Sequence, residues 1–522
     1  MVNRKLEGER FRGTGRLSSL FAAIVVLLML GSALPSGAAP MPAIKWGEPT
    51  ILQDYGDSSS FNANADIVTD AHGNAYLTWL DWRKNYGAPY ARSRLTDGTW
   101  TLARNVDSAG WDAQNEVIPR IAADGSGNVY VAWIDIVGSG NDRVTMVKSP
   151  DGGRNWTDNV DVSGSTAVNY EVLDVAAGHG STVLLLMGTP STLWLRASSN
   201  SGTTFAPAVE VKSALPPNYI DLPVLISTSS GETYLVYRLR GETDWAMQVM
   251  ASTDDGQTFR DPVNVSTTFV PSPSIFHVPV ATAAPGGRVA VAYLDGTYSG
   301  GEQRYKVTRS LDGGATWSQP ALVDPQSEGG KANDADCFIA FAPDGTLYVV
   351  YYHTDDRDAL SSYNPYLRTL GPDGTWTDRL DLNVLPLYGG YGTPRGLSVD
   401  GTGRLHLLFS GKTYSLEVDN TLHILGTRAS SGDGDGDGGG GNGDEAKVTD
   451  FALFWAVLAL MLVFLLLAVI GFARRPKQPA AGPAPAAYQP APQPYYPQPA
   501  PPPPAPPPTS PPPPMQPPPP QR

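Results

Sequence analysis

The sequence predicts an all-β protein built as a seven-bladed β-propeller, with six blades as the alternative. Three observations predict this fold. A short turn sequence that ends in Trp or Phe occurs six times between residues 93 and 376. Pairs of β-rich runs joined by a Gly-containing turn precede these copies. The turn aromatics are 49 to 59 residues apart, which is the spacing expected for four-stranded propeller blades.

The repeated turn has four close copies and two looser ones. The close copies are Ser149–Trp156, Ser198–Phe205, Ser252–Phe259 and Ser310–Trp317, and the looser ones are Ser93–Trp100 and Thr369–Trp376. The preceding strand pairs include Ile67–Asp81, Ile121–Asp135, Leu225–Arg238 and Ile339–Tyr352. Each of these runs predicts two strands, and the segments that flank the turn supply two more, so each repeat has four strands.

The two ends of residues 44–431 predict how the ring of blades closes. The segment Trp46–Asp54 resembles the strand that follows a turn, although the first half of that repeat is missing. At the other end, Leu397–Gly411 and Leu422–Ser431 supply three strands and no fourth. We therefore expect the N-terminal strand to complete the last sheet, which would remove an exposed sheet edge.

Residues 1–39 have the composition of a secretory signal peptide. Five basic residues precede the apolar run Leu20–Leu30, and small residues follow from Gly31 to Ala39. This order of regions is typical of a secretory signal, with cleavage near Ala38 or Ala39. An uncleaved signal anchor is the alternative, because Pro40 lies next to the expected cleavage site.

A second apolar run, Phe451–Ala473, predicts a transmembrane helix. It has 23 residues without charge or proline, which as a helix would extend roughly 35 Å, enough to cross a bilayer. Arg474, Arg475 and Lys477 follow it, so the positive-inside rule places residues 474–522 in the cytoplasm. We therefore expect a single-pass protein of the cell membrane with the propeller outside the cell.

The segments on either side of this helix have strongly biased composition. Residues 432–450 are rich in Gly and Asp. Their acidic residues partly fit the spacing of a calcium loop, but the segment is better read as a flexible spacer. The tail, residues 474–522, is Pro-rich and is expected to be disordered with polyproline II character. The tail is either an extended spacer or a docking segment for a cytoplasmic Pro-motif-binding partner.

The charge distribution limits the classes of partner. Removing +3 for residues 1–40 and +4 for residues 474–522 from the overall −14 leaves −21 for the part between them. An acidic exterior disfavours nucleic acid and favours cations or basic surfaces. Cys337 is the only cysteine, so no internal disulfide can form and the fold must depend on core packing.

The close turn copies resemble the Asp box, Ser-x-Asp-x-Gly-x-Thr-Trp, of the sialidase-like superfamily, also called the BNR repeat. The resemblance covers nearly all of residues 44–431. It implies that each turn joins the third and fourth strands of a blade, on the face opposite the ligand. Calcium binding is the alternative, but each copy offers too few carboxylates, so we expect no metal and no cofactor. The residues that match best are Ser149, Asp151, Gly153, Trp156, Ser252, Asp254, Gly256, Phe259, Ser310, Asp312, Gly314 and Trp317.

Candidate ligand-binding residues should therefore lie on the other face. Asn-plus-carboxylate segments precede the first strands, and their carboxylates either form an acidic ring at the channel mouth or simply make the turn into each strand. Long loops with Trp and Tyr suit sugar rings or protein loops, although loop aromatics also pack structurally. The candidates are Asp66, Asp81, Arg83, Glu116, Arg120, Asp336, His353, Asp355, Arg357, Tyr391 and Arg395.

Catalysis is the second hypothesis. The resemblance implies, for an active sialidase, three arginines, a Tyr–Glu nucleophile pair, an Asp acid/base and an N-terminal Phe/Tyr-Arg-Ile-Pro segment. That segment is absent, since Val117–Ala122 has similar letters in another order. No spacing singles out three arginines, so the catalytic residues stay unknown. The sequence favours recognition of an extracellular glycan or protein over a sialidase-type glycoside hydrolase or a structural envelope protein.

Overall fold

The computed structural model describes residues 39–52, 62–81, 87–108, 115–136, 142–164, 168–242, 245–266, 279–295, 304–325, 337–354, 363–385, 388–413 and 416–428. The predicted signal peptide, spacer, membrane helix and tail lie outside these ranges, apart from Ala39. No helix within the ranges is long and apolar enough to span a membrane.

The described strands form seven sheets, each of four strands or, in one case, five. Two short strands come first: β1 (Ile44–Trp46) and β2 (Thr50–Ile51). Blade 1 contains β3 (Asn62–Thr69), β4 (Ala75–Asp81), β5 (Ala88–Arg94) and β6 (Arg104–Asn105). Blade 2 contains β7 (Asn115–Ala123), β8 (Val129–Ile136), β9 (Arg143–Ser149) and β10 (Val160–Asp161). Blade 3 contains β11 (Val172–Ala177), β12 (Val183–Thr189), β13 (Thr192–Ser198) and β14 (Val209–Ser213).

The remaining blades repeat the same order of antiparallel strands. Blade 4 contains β15 (Tyr219–Ser227), β16 (Thr233–Arg240), β17 (Trp245–Ser252) and β18 (Val263–Asn264). Blade 5 contains β19 (Val280–Ala284), β20 (Arg288–Asp295), β21 (Arg304–Ser310) and β22 (Ala321–Leu322). Blade 6 contains β23 (Phe338–Phe341), β24 (Leu347–Thr354), β25 (Tyr363–Leu370) and β26 (Leu380–Asp381), followed by a 3₁₀ turn, Leu382–Val384. Blade 7 contains β27 (Tyr388–Val399), β28 (Leu405–Thr413) and β29 (Leu416–Arg428).

The hydrophobic core lies between the blades. The second strand of each blade is rich in Val, Leu, Tyr and Trp, and in blade 1 all seven of its residues are buried. Such runs are buried because a neighbouring blade covers each face of the strand. Tyr76 of blade 1, for example, belongs to the same buried cluster as Val129 and Val131 of blade 2.

The N-terminal strand completes the last blade, as the sequence predicts. Strand β1 pairs antiparallel with β29, with Ile44 opposite Arg428 and Trp46 opposite Gly426. The first strands of successive blades contact one another, and β27 of blade 7 contacts β3 of blade 1, so the ring closes. Seven blades are therefore confirmed, and the six-bladed alternative is wrong.

The strand order divides the connections between two faces of the propeller. One face, which we call the turn face, carries the connections from first to second and from third to fourth strands. The opposite face, which we call the mouth face, carries the connections from second to third strands and from each blade to the next. On the turn face the two connections of one blade are hydrogen bonded to each other, as from the Gly152 N–H to the Gly127 carbonyl at 3.1 Å.

Candidate functional site

The four turns of the close repeat lie on the turn face, between the third and fourth strands of blades 2 to 5. We call them the Ser–Asp turns. In one of them the Ser252 hydroxyl donates to Asp254 Oδ1 at 2.6 Å, and the Thr258 N–H donates to the same oxygen at 2.9 Å. The Thr258 hydroxyl donates to Asp254 Oδ2 at 2.6 Å. These bonds, led by that from Ser252, lower the pKa of Asp254 to about 2.

The other Ser–Asp turns repeat this network with small changes. Asp312 makes the same bonds with Ser310 and Thr316, and the pKa of its carboxyl is likewise lowered to about 2. Asn200 replaces the carboxylate in the blade 3 turn and keeps the geometry, because its Nδ2 donates to Thr204 Oγ1 at 2.8 Å. The Ser, Asp and Thr side chains of these turns thus form hydrogen bonds within the turns themselves. These bonds stabilise the connection between the third and fourth strands.

The first strand of each blade, which we call the inner strand, lies next to the central channel of the propeller. Each inner strand contributes one residue to a ring around this channel, which we call the central ring. The members occupy equivalent positions in their blades. Asp66, for example, pairs with the residue before Trp79 on the second strand, and Arg120 pairs with the residue before Trp133. The members, in blade order, are Asp66, Arg120, Asp174, Val224, Val280, Phe338 and Gly396. All except Gly396 are half-buried. Because neighbouring blades cover both faces of each inner strand, the exposed part of these side chains faces the channel.

Two aspartates of the central ring connect adjacent inner strands. Asp66 Oδ1 accepts from the Ile67 N–H at 2.9 Å, and its Oδ2 accepts from the Ile121 N–H of blade 2 at 3.2 Å. Asp174 repeats the arrangement two blades later, between blades 3 and 4, accepting from the N–H groups of Val175 and Leu225 at 2.9 and 2.8 Å. Each carboxylate therefore satisfies a backbone donor of the next blade and fixes the spacing between inner strands.

Arg120 lies between these two aspartates in the ring. Its Nε donates to the Leu173 carbonyl of blade 3 at 3.4 Å. Within the described ranges no hydrogen bond from either of its Nη atoms is found. Burial raises the pKa of Asp174 to about 6, while the Arg120 charge opposes that shift and the Asp66 charge adds to it. The three groups are thus electrostatically coupled.

A second feature of the mouth face lies between blades 3 and 4. Tyr219 is 41% exposed, and the guanidinium carbon of Arg240 lies 5.3 Å from the centre of its ring. Asp221 Oδ2 is 2.9 Å from both Arg240 Nε and an Nη atom of the buried Arg238. The neighbouring Leu215 is 82% exposed. We call Leu215, Tyr219 and Arg240 the mouth patch.

The mouth patch is held in place by backbone hydrogen bonds. The connection between blades donates from Ala214 N–H to the Ser191 carbonyl at 2.9 Å, and from Ile220 N–H to the Pro190 carbonyl at 2.7 Å. These bonds hold the backbone on either side of Tyr219 in place.

Buried carboxylates end several second strands on the mouth side. Asp135 accepts from Trp133 Nε1 at 2.6 Å and from the hydroxyl of Thr145. Burial, the largest influence, raises the pKa of Asp135. Asp295 forms an ion pair with Lys306. The candidate Asp81 occupies the matching position of blade 1 and is fully buried at the end of β4, which indicates a structural position for this residue.

Only some of the remaining candidate ligand-binding residues lie within the described ranges. Arg395 lies on β27 and is exposed. Glu116, His353 and Tyr391 lie on β7, β24 and β27, and their side chains are outside the described set. Arg83, Asp336, Asp355 and Arg357 lie outside the described residues. In the described ranges no group of three or more His, Cys, Asp and Glu side chains is arranged to hold a metal ion.

Sequence reasoning missed Asp174 and the mouth patch. A signal for Asp174 was present, since Asp66, Arg120 and Asp174 each precede the first residue of a tight turn (Asp70, Asp124 and Gly178) by four positions. The pairing of Tyr219 with Arg240 had no comparable signal, because the two residues meet only through the register of β15 and β16.

Solved structures similar to this chain include enzymes that act on glycans. The Streptococcus pneumoniae NanB sialidase has 11% identity and a TM-score of 0.43, over 73% of this chain and 71% of that chain. The Penicillium chrysogenum α-L-arabinanase, complexed with arabinobiose, has 18% identity and a TM-score of 0.39, over 60% of this chain and 93% of that chain. A Dyadobacter fermentans protein of unknown function has 11% identity and a TM-score of 0.42, over 74% of this chain and 100% of that chain.

These similarities are low, and the propeller assignment rests on the chain's own seven sheets. No family model matches the chain, and no curated protein matches it.

Proposed function

We propose that this chain is a cell-surface recognition protein whose propeller binds a glycan or a protein ligand through its mouth face. The observation that carries the proposal is the mouth patch, in which the guanidinium of Arg240 lies over the exposed Tyr219 ring and forms an ion pair with Asp221. Tyr and Arg are, with Trp, the side chains enriched among residues that dominate binding energy. The ion pair of Arg240 with Asp221 and its contact with the Tyr219 ring restrict both side chains, which reduces the conformational entropy lost when a ligand binds.

The turn face is a poor alternative for binding. Its Asp side chains accept hydrogen bonds from their own turns, and its connections are hydrogen bonded to each other. A ligand there would have to compete with these internal bonds. The proposal therefore places the ligand on the mouth face, and it places residues 1–39 and 451–473 as the signal peptide and membrane anchor that present this face outside the cell.

Arrays of glycans and of extracellular protein domains, probed with the purified full chain, test this proposal. We expect Tyr219→Ala and Arg240→Ala each to weaken binding of the ligand found by about ten-fold or more. Asp221 keeps its bond with Arg238 in the second variant, so the fold should survive. Arg260→Ala, at an exposed position on the turn face, is the matched control. Binding that depends on Arg260 and not on the mouth patch would contradict the proposal.

A glycoside hydrolase of sialidase type is the second candidate, and one observation favours it. The carboxyl of Asp174 lies in the channel with its pKa raised by burial to about 6, which suits a general acid near neutral pH. Both of its oxygens, however, already accept backbone N–H groups. Assays with fluorogenic sialosides and other glycosides decide between the two candidates. Turnover that is lost in Asp174→Asn with the fold intact would favour the enzyme.

A further inference from the structure

The central ring divides into two chemically different halves. Blades 1 to 3 contribute Asp66, Arg120 and Asp174, whereas blades 4 to 6 contribute Val224, Val280 and Phe338. All six side chains are half-buried. The channel at this level is therefore lined by charged hydrogen-bonding groups along one side and by apolar groups along the other.

This division matches the two surfaces of a sugar ring. Hydroxyl groups of a sugar can donate to carboxylate oxygens and accept from a guanidinium, and its C–H face can pack on an aromatic or aliphatic side chain. The carboxylates of Asp66 and Asp174 each accept hydrogen bonds from two backbone N–H groups. Each carboxylate has further lone pairs that can accept a hydrogen bond from a sugar hydroxyl. The Nη atoms of Arg120 supply donors between them.

The charges of the ring distinguish neutral from anionic sugars. Two carboxylates flank one guanidinium, and the part of the chain that contains the propeller, residues 41–473, carries a formal charge of −21 (residues 1–40 carry +3 and residues 474–522 carry +4 of the overall −14). An anionic sugar bound at Arg120 would approach both carboxylates, and the like charges would repel each other. A neutral sugar meets no such repulsion.

We infer that the central ring is a binding site for a neutral sugar unit, such as a hexose or pentose at the end of a glycan, held by Asp66, Arg120 and Asp174 against the apolar half of the ring. This inference rests on the proposed recognition function and specifies its site and ligand class. The sugar unit occupies the channel, and the mouth patch contacts whatever the sugar is attached to.

An array that carries neutral hexose and pentose oligosaccharides beside sialylated and uronate-containing ones, probed with the full chain, tests the inference. We expect binding to neutral oligosaccharides and at least ten-fold weaker binding in Arg120→Met. Arg120→Lys keeps the charge but loses the forked donors, so we expect an intermediate loss. Arg260→Met on the turn face should bind like the unmodified chain. Thermal unfolding of each variant shows whether the fold is retained.

Three results would overturn the inference. They are a preference for anionic over neutral sugars, unchanged neutral-sugar binding in a folded Arg120→Met chain, and no binding to any neutral oligosaccharide. If a protein or a glycan is bound through Tyr219 and Arg240 while the Arg120 variants behave normally, the central-ring site fails and the recognition function stands. If no glycan and no protein domain is bound at all, the recognition function fails as well.

Discussion

The side chains of His406 and His423 form a hydrogen-bonded pair inside the blade that closes the ring, with His406 Nδ1 3.0 Å from His423 Nε2. His406 Nε2 lies 3.1 Å from Asp400 Oδ2, and both histidines are almost fully buried. A neutral His406 that donates from Nε2 to the carboxylate must accept at Nδ1, so His423 donates from Nε2. The hydrogen bond between the two rings cannot form when both are protonated, because two N–H donors would then face each other.

This pair should make the closing blade sensitive to acid. Burial lowers the pKa of both histidines. At His406 the charges of Arg404 and Arg94 act in the same direction and Asp400 opposes the shift, and at His423 the charges of His406 and Arg94 lower the pKa further. Trp100 of blade 1 packs on His423 with its ring centre 5.1 Å away. Because the unfolded chain binds protons below about pH 6.5 and the folded pair does not, stability is present above that pH and is lost as the pH falls, by up to about 1.4 kcal/mol per pH unit for each histidine.

Thermal unfolding between pH 7.5 and pH 5 measures this effect. We expect the unfolding temperature to fall with pH, and the fall to be smaller in His423→Leu, which removes one of the two titrating rings. His179→Gln, at an exposed position on the turn face, should retain the full pH dependence. Equal slopes in His423→Leu and the unmodified chain would show that the pair does not control acid stability.

Replacing the glycines of the Ser–Asp turns by alanine should lower the free energy of unfolding by different amounts. Gly256 has φ +74°, and a Cβ there would lie 2.9 Å from Leu184 Cδ1 of the preceding blade. Gly313 has a similar φ of +72°, but a Cβ added to it would have no atom within 4 Å. Gly256→Ala therefore incurs both backbone strain and a steric clash, roughly 2–4 kcal/mol, whereas Gly313→Ala incurs only the strain, about 1–2 kcal/mol.

Urea unfolding of the two variants gives the comparison. A larger loss of unfolding free energy in Gly256→Ala is expected. Similar losses in the two variants would mean that the contact between the turn and the preceding blade adds little to stability.

Replacing Asp254 by Asn should change the acid response with little effect at neutral pH. The turn of blade 3 already contains Asn200, whose Oδ1 accepts from the Thr204 N–H at 2.9 Å as Asp254 Oδ1 accepts from Thr258. Because the folded pKa of Asp254 is lowered to about 2, its contribution to stability is present above about pH 4 and is lost between there and pH 2.

We therefore expect Asp254→Asn to fold at pH 7 and to lose less stability between pH 4 and pH 2 than the unmodified chain does. Fluorescence-monitored urea unfolding at a series of pH values measures it. Asn200→Asp is the reciprocal variant and should steepen the same acid response. An unchanged response in both would indicate that these carboxylates contribute nothing to folding stability.

Closure of the ring should depend on the contact between Trp46 and Gly426. The two residues are paired across β1 and β29, and a Cβ on Gly426 would lie 2.6 Å from the Trp46 ring. Gly426→Ala should displace the indole and loosen β1, at a cost of roughly 1–3 kcal/mol. Gly47→Ala is the control, since a Cβ there would lie 3.5 Å from the nearest atom, the Leu425 carbonyl oxygen.

Limited trypsin digestion at Lys45 reports on β1 directly. Faster cleavage in Gly426→Ala than in Gly47→Ala is expected. If both variants are cleaved at the rate of the unmodified chain, the Trp46 contact is not needed to hold the N-terminal strand.

Most of the fold could be predicted because propeller blades leave a local, periodic record in the sequence. The Ser–Asp turns mark the boundary between third and fourth strands, and a missing half-repeat at each end predicts the closure that β1 and β29 confirm. The site was predicted only in part. Asp66 and Arg120 were candidates, whereas Asp174, the Tyr219–Arg240 pair and the His406–His423 pair were not.

The sequence by itself predicted seven blades with six as the alternative, four strands in each blade and the place where the ring closes, because these follow from short segments and their spacing. The seven sheets of the structure decided between the two blade numbers. Only the tertiary structure decided which charged residues share the central ring. Their level depends on strand register, which shifts at irregularities between Ala63 and Asp66 and between Val117 and Arg120. A shift of this kind moves a side chain by one residue position along the strand. The side chain then contacts residues of an adjacent blade about 50 residues away in the sequence, as Asp66 contacts Ile121.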